Sequence, residues 1–177
     1  MLAAPSTTYS PLTETRLQDL VTVLTSCRWE YFVNPVHTQE TVQKSWQNGD
    51  FSGPDSAGYL IEHDGSVIGL IRLHDLADDT PLFDVRLVEP ARGLGHGNAA
   101  VEWVVRRFFE TENRRRIEAQ TRSDNHAMRR TLSKCGFVKE AHYRSADEHG
   151  GDWLAYGLLR RDWETGNPTP VPWDNLP

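Results

Sequence analysis

The sequence predicts an α/β (α+β) protein with one mixed, mostly antiparallel sheet of six to seven strands, flanked by about four helices. Three observations carry this reading. Two runs of strand formers, Tyr59-Leu60-Ile61-Glu62 and Val67 to Leu73, are separated by His63-Asp64-Gly65-Ser66, and Asp-Gly between such runs is a hairpin signal. Further on, strand formers alternate with segments apolar at helical spacing, in the order strand, helix, strand, helix, strand. The chain has 177 residues, 38% of them hydrophobic and six of them Trp, enough for the core of one domain.

The elements follow in order. Tyr9 to Leu12 reads as a short first strand. Thr15 to Ser26 carries Leu17, Leu20, Val21 and Leu24 at helical spacing. Trp29, Tyr31 and Phe32 form an aromatic cluster before Pro35. Thr38 caps a second, more polar helix that runs to Gln47, and Gly49 to Gly58 is a loop rich in Gly, Pro, Asp and Ser. After the hairpin come a strand over Leu82 to Val88, a loop over Pro90 to His96, and a helix from Gly97 to about Thr111. Ile117 to Thr121 is a strand, Asn125 to Lys134 a short helix, and Phe137 to Tyr143 and Trp153 to Leu159 are the last strands. Residues 1–164 are expected to form one domain, and 165–177 a Pro-rich tail without period.

Composition narrows the partners. With 19 Lys and Arg against 25 Asp and Glu the net charge is −6. That excludes a general nucleic-acid binder, which needs a basic face, and favours cationic partners at long range. No stretch of about eighteen apolar residues marks a membrane span, and Met1 to Ser6 has neither the basic head nor the apolar run of a leader. The two cysteines, Cys27 and Cys135, are too few and too distant for a disulfide framework. A cytoplasmic protein is expected. The seven His show no paired ligand spacing, so no metal is expected. Self-association as a homodimer stays open.

The chemistry concentrates at Arg92-Gly93-Leu94-Gly95-His96-Gly97. A Gly-rich loop between a strand and a helix offers several backbone N–H groups and the positive helix end, and so can hold a pyrophosphate without a metal. Gly95-His96-Gly97-Asn98-Ala99-Ala100 also satisfies G-x-G-x-x-A, with Glu118 about twenty residues on. A dinucleotide site would place that acid at the carboxyl end of its strand, however, and Glu118 stands near the start of its own. The antiparallel hairpin is equally foreign to a Rossmann half.

The second motif decides between these. Asn125, Ala127, Arg130, Leu132, Lys134 and the Gly136-Phe137 pair, downstream of the Arg-Gly-x-Gly-x-Gly loop, resemble the GNAT superfamily of N-acetyltransferases. Within it they are similar to the ribosomal-protein N-terminal acetyltransferase branch. The likeness runs from about Phe83 to Tyr143. It implies a GNAT fold whose fourth and fifth strands splay apart, with acetyl-CoA as co-substrate and a primary amine as acceptor: a protein or peptide N-terminus, or a small molecule. By this resemblance the pantetheine arm bonds backbone near Leu87 and Val88. The amides from Gly93 to Asn98 hold the pyrophosphate, Arg92 adds a cation, and Asn125 bonds the arm or simply caps its helix. Arg130 either reaches phosphate or belongs to a solvated face.

An alkyl ammonium must lose a proton before it attacks a thioester, so a base is needed. Asp84 matches the position of the usual family Glu, with an ion pair to Arg86 as its alternative role. Leu132 and Met128 stand where the usual hydroxyl donors would be. Tyr143 is then the candidate acid, with Tyr156 behind it and plain packing as the other reading. Without any donor, the chain would be a non-catalytic acyl-CoA-binding module, or the thiolate would leave unaided.

Overall fold

A computed structural model describes residues 7–173. Residues 1–6, on which the expectation of a leader-free start rests, and the last four residues of the tail lie outside the described residues. The elements are β1 (Thr7–Pro11), α1 (Leu17–Thr25), α2 (Gln39–Gln47), β2 (Ser52–Gly53), β3 (Ser56–His63) and β4 (Ser66–His74). They continue with β5 (Leu82–Leu87), α3 (His96–Arg106), β6 (Arg116–Arg122), α4 (His126–Lys134), β7 (Val138–Tyr143), β8 (Trp153–Leu159) and α5 (Arg160–Thr165). The strands form one sheet in the order β1-β3-β4-β5-β6-β8-β7, with β2 paired to β3. Every pairing is antiparallel except β5 with β6. Among the described residues no helix is long and apolar enough to cross a membrane.

Local chemistry explains most boundaries. Asp64 and Gly65 both take positive φ, 48° and 79°, the backbone that a tight primed turn requires, and β3 and β4 pair across it. Thr38 caps α2 by accepting the Thr41 N–H, while the Thr41 hydroxyl returns a bond to the Thr38 backbone. Two stretches differ from expectation. The loop over 49–58 contains β2 and the first residues of β3, because Ser52 and Gly53 pair with Ala57 and Ser56. The expected helix from Gly97 to Thr111 is α-helical to Arg106 and then widens into a π turn over Arg107–Thr111.

The sheet separates two apolar layers. Residues alternate across each strand, so Ile61, Ile71 and Leu73 join α3 and α4 through Val104, Phe108 and Leu132. Leu60 and Leu70 face α1 and α2 through Leu20, Leu24 and Val42. At the carboxyl end, Asp162 of α5 is buried and receives both the amide and the hydroxyl of Thr169, which ties down the start of the tail.

The close approach of β4 to β5 depends on one residue without a side chain. A Cβ on Gly69 would lie 2.3 Å from the Arg86 carbonyl oxygen and 2.9 Å from Leu87 Cδ2. Gly69→Ala is therefore expected to cost about 1–3 kcal/mol through overpacking, a melting temperature lower by roughly 2–10 °C. An unchanged melting curve would mean that β5 shifts freely.

Candidate functional site

The site begins where β5 and β6 part. A single parallel bridge, Leu82 with Glu118, joins them, closed by the Glu118 N–H to the Pro81 carbonyl at 3.0 Å. Beyond it the strands diverge, and a cleft of about 500 Å³ opens between them. Phe83 to Leu87 form one wall and Gln120 and Thr121 the other. The Gly-rich loop and α4 close one end, and the segment after α1 closes the opposite end.

The phase of the β4–β5 ladder decides which backbone groups face the cleft. The Val88 N–H donates to the Ile68 carbonyl at 3.0 Å, in register with the Leu70–Arg86 and Arg72–Asp84 pairs. Even-numbered residues of β5 thus bond to β4, and the backbone of Val85 and Leu87 turns toward the gap. This corrects one expectation. Val88 has no free amide, its carbonyl already accepts from Ala91, and its side chain packs into the α1–α2 layer. Val85 and Leu87 are the residues with groups on the open edge.

At the loop, Gly93 and Gly95 have φ of 77° and 91°, and a Cβ on either would meet nothing within 4 Å. Glycine is needed there for the left-handed backbone, and the space in front of it is open. Gly95 is the N-cap of α3 and supplies no side-chain bond. The first amides of α3, from His96 to Asn98, therefore have no intrahelical partner and carry the positive end of the helix dipole. Gly93, Gly95, Gly97 and Asn98 line the cleft. Leu94 points outward at 68% exposure, and the His96 ring packs against His63 at 4.5 Å, so these two could contribute only backbone. The Arg92 guanidinium turns back, donating to the Leu87 carbonyl at 2.9 Å and to Cys27 Sγ at 3.3 Å, and it lies over the Trp29 ring.

Asn125 and Arg130 reach the same cleft. Asn125 is the N-cap of α4, where its Oδ1 accepts the Met128 N–H at 3.1 Å, which leaves its amide hydrogens for a ligand. Arg114, Arg116 and Arg129 are taken up by bonds within the protein. Arg114 donates to the Leu76 and Asp78 carbonyls, Arg116 pairs with Glu118 and Glu140, and Arg129 donates to the Ser123 carbonyl. The Glu118 pairing also removes that acid from any ribose-binding role. Burial pushes the Cys135 thiol up to about 11, as suits a packing residue. Among the described residues no group of three His, Cys, Asp or Glu is arranged for a metal.

Asp84 and Arg86 point to the side of β5 facing α1 and α2. Asp84 lines the cleft with His74 Nε2 at 3.9 Å, and no Asp84–Arg86 ion pair forms among the described residues. Arg86 instead lies 3.9 Å from the Phe32 ring centroid and 5.7 Å from that of Trp29. Its Nη1 donates to His37 Nε2 at 3.1 Å. Trp29 and Phe32 both close the core and line the cleft, Trp29 anchored by its indole N–H to the Leu24 carbonyl. Tyr143 is not brought to this cleft. It is 48% exposed beside a neighbouring pocket, on β7 at the edge of the sheet, two strands from β6. Tyr156 is buried in the core. Tyr31 is the tyrosine that lines the cleft, and sequence reasoning placed it only within an aromatic cluster.

Residues 7–138 match the family model described as Acetyltransferase (GNAT) domain. No curated protein matches the chain. Among solved structures, the spermidine N-acetyltransferase from Vibrio cholerae in complex with CoA and spermine superposes with a TM-score of 0.76 at 15% identity, covering 89% of this chain and 98% of that one. A chimera of the Vibrio cholerae enzyme and hSSAT gives a TM-score of 0.76 at 15% identity, covering 90% and 98%. At such identity these show a shared fold.

The Arg86–His37 contact makes a pH prediction. Arginine can only donate, so His37 Nε2 accepts and the ring is neutral. Burial first, then the Arg86 charge, hold the His37 pKa below its ordinary 6.5. The unfolded chain therefore binds the proton more readily, and stability falls as the pH drops through 6.5 toward the lowered value. His37→Gln keeps an acceptor without titrating. Its melting temperature is expected to depend less on pH than that of the parent between about pH 7.5 and about pH 5, and parallel profiles would refute this.

Proposed function

The chain belongs to the GNAT acetyltransferase family, and from that premise we propose that it transfers the acetyl group of acetyl-CoA to a primary amine by direct attack within a ternary complex. The observation that carries this reading is the uncapped start of α3 beside the opening between β5 and β6. Anions are stabilised where several amides and a helix dipole converge, and the open space before Gly93 and Gly95 lets phosphates approach that backbone. A CoA pyrophosphate fits these groups. Its pantetheine arm would then run along the free edge of β5, bonding the backbone of Val85 and Leu87, with the Asn125 amide on the opposite side. Arg130 stands at the phosphate end of the cleft.

The acetyl-CoA thioester supplies an activated acyl carbon. Within the cleft, Asp84 takes the proton that an ammonium with a pKa near 10 must lose. The carbon–nitrogen bond then forms as the carbon–sulfur bond breaks. Tyr31, the tyrosine that lines the cleft, is our candidate to protonate the departing sulfur, and a thiolate with a pKa near 8.5 can also leave without help. The structurally similar Vibrio cholerae protein is a spermidine N-acetyltransferase, whereas the sequence resembles the ribosomal-protein N-terminal branch, so the acceptor is argued from groups of this chain.

Two measurements test this. Gly95→Val keeps the core intact but adds a branched side chain before the amides at φ 91°. Its affinity for CoA is expected to fall by about 100-fold or more, consistent with the loss of several charge-assisted bonds, and an unchanged affinity would remove the phosphate assignment. Thiol release from acetyl-CoA with an amine panel is expected to drop by on the order of 10²–10⁴-fold in Asp84→Ala. Undiminished turnover in that variant would exclude Asp84 as base, and CoA binding with no turnover of any amine would favour the non-catalytic module.

A further inference from the structure

The cleft contains a buried cation, Arg86, that makes no ion pair among the described residues, Asp84 acting on its charge only from a distance. Arg86 is only 9% exposed, and burial lowers its pKa to about 10, with Asp84 opposing that shift and Arg72 adding to it. It is still charged at neutral pH. Burying an uncompensated guanidinium is costly, so such groups ordinarily sit against a carboxylate. Here the partners are a neutral imidazole and the Phe32 face. The Nε and Nη2 groups make no hydrogen bond among the described residues, and neither is sealed from solvent. Arg86 itself lines the cleft.

The surroundings share this bias. The cleft is lined by Arg28, Arg86, Arg92, Arg130 and Lys134 against only Glu30 and Asp84, in a chain whose net charge is −6. Arg130 and Lys134 belong to α4, at the phosphate end. Arg86 faces the opposite way, toward Trp29, Phe32 and His37 in the segment between α1 and α2. Arg92, from the Gly-rich loop, reaches the same Trp29 ring, so CoA affinity is followed alongside acceptor preference in the test below.

We infer that Arg86 receives the carboxylate of the acceptor, so that the substrate is a small amine carrying a carboxylate a few carbon atoms from its nitrogen. This rests on the acetyltransferase reading above and adds the acceptor class to it. A planar guanidinium held flat by an aromatic face presents its fork to a carboxylate in two parallel bonds. Asp84 and Arg86 point the same way from one strand, about 6.5 Å apart along it. A zwitterionic amine spans that interval with its ammonium toward Asp84 and its carboxylate toward Arg86. The same buried charge repels a polyamine, whose every functional group is cationic.

Matched acceptors test this: β-alanine against β-alaninamide, γ-aminobutyrate against its amide, and spermidine, each compared at equal concentration of free amine by thiol release from acetyl-CoA. The acids are expected to exceed their amides in kcat/KM by about tenfold or more, the range of a charge-assisted bond, and spermidine to be the poorest acceptor. In Arg86→Met that ratio falls toward one with CoA affinity unchanged, and in Arg86→Lys it is intermediate. Melting temperatures of both variants verify folding, and the parent's acid-to-amide ratio stands without them. Equal use of acids and amides, preference for spermidine, or an acid preference that survives in Arg86→Met overturns the inference while leaving the acetyltransferase standing. Weakened CoA binding in Arg86→Met would place the guanidinium on the cofactor and overturn it as well. No thiol release with any amine overturns the acetyltransferase reading and this one together.

Discussion

Everything functional in this molecule depends on the single bridge between β5 and β6. Leu82 and Glu118 pair once, and then the strands separate. A sheet that stayed closed would bond the Val85 and Leu87 backbone to β6 and leave no cleft. A sheet without the bridge would lose the fixed distance between its two halves. The antiparallel pairings on either side, β4 with β5 and β6 with β8, make the opening affordable, since each parting strand keeps a full partner on its other edge.

From that opening the rest is forced in sequence. β5 ends beside the Gly-rich loop, so α3 starts with its amides at the mouth of the cleft. α4 crosses from the other side and brings Asn125 and Arg130 to the same place. The opposite face of β5 sends Asp84 and Arg86 toward the α1–α2 segment, where Trp29 and Phe32 wall off solvent. Partial burial strengthens each charge there, and this is the ground for the acceptor class inferred above.

Much of the architecture was legible because its signals are local. Asp64-Gly65 dictates a turn, Thr38 a cap and the alternating runs their strands, and the structure follows each. Ser52 and Gly53 carry no strand signal, since two residues gain a place in a sheet only by what lies beside them. The Gly-rich loop's position was readable from residue type, because Gly93 and Gly95 take positive φ, which glycine adopts most readily. Val88 and Leu94 were less so: consecutive residues of a strand or loop look equivalent until the phase of the ladder shows which of them faces the gap. Tyr143 looked suitable by chemistry, yet it stands on the edge strand β7, beside the adjoining pocket.

By itself the sequence determined the fold class and the Gly-rich loop, which rest on periodicity and turn chemistry, and the Asn125-to-Phe137 signature, which rests on its resemblance to the GNAT family. Only the tertiary structure decided which groups share the cleft. Arg86 in the sequence reads as the partner of Asp84 two residues before it. In the folded protein it lies over Phe32, bonds to His37 and makes no ion pair among the described residues. Burial and partnership are properties of segments distant along the chain, and 49 residues separate Arg86 from the histidine it meets.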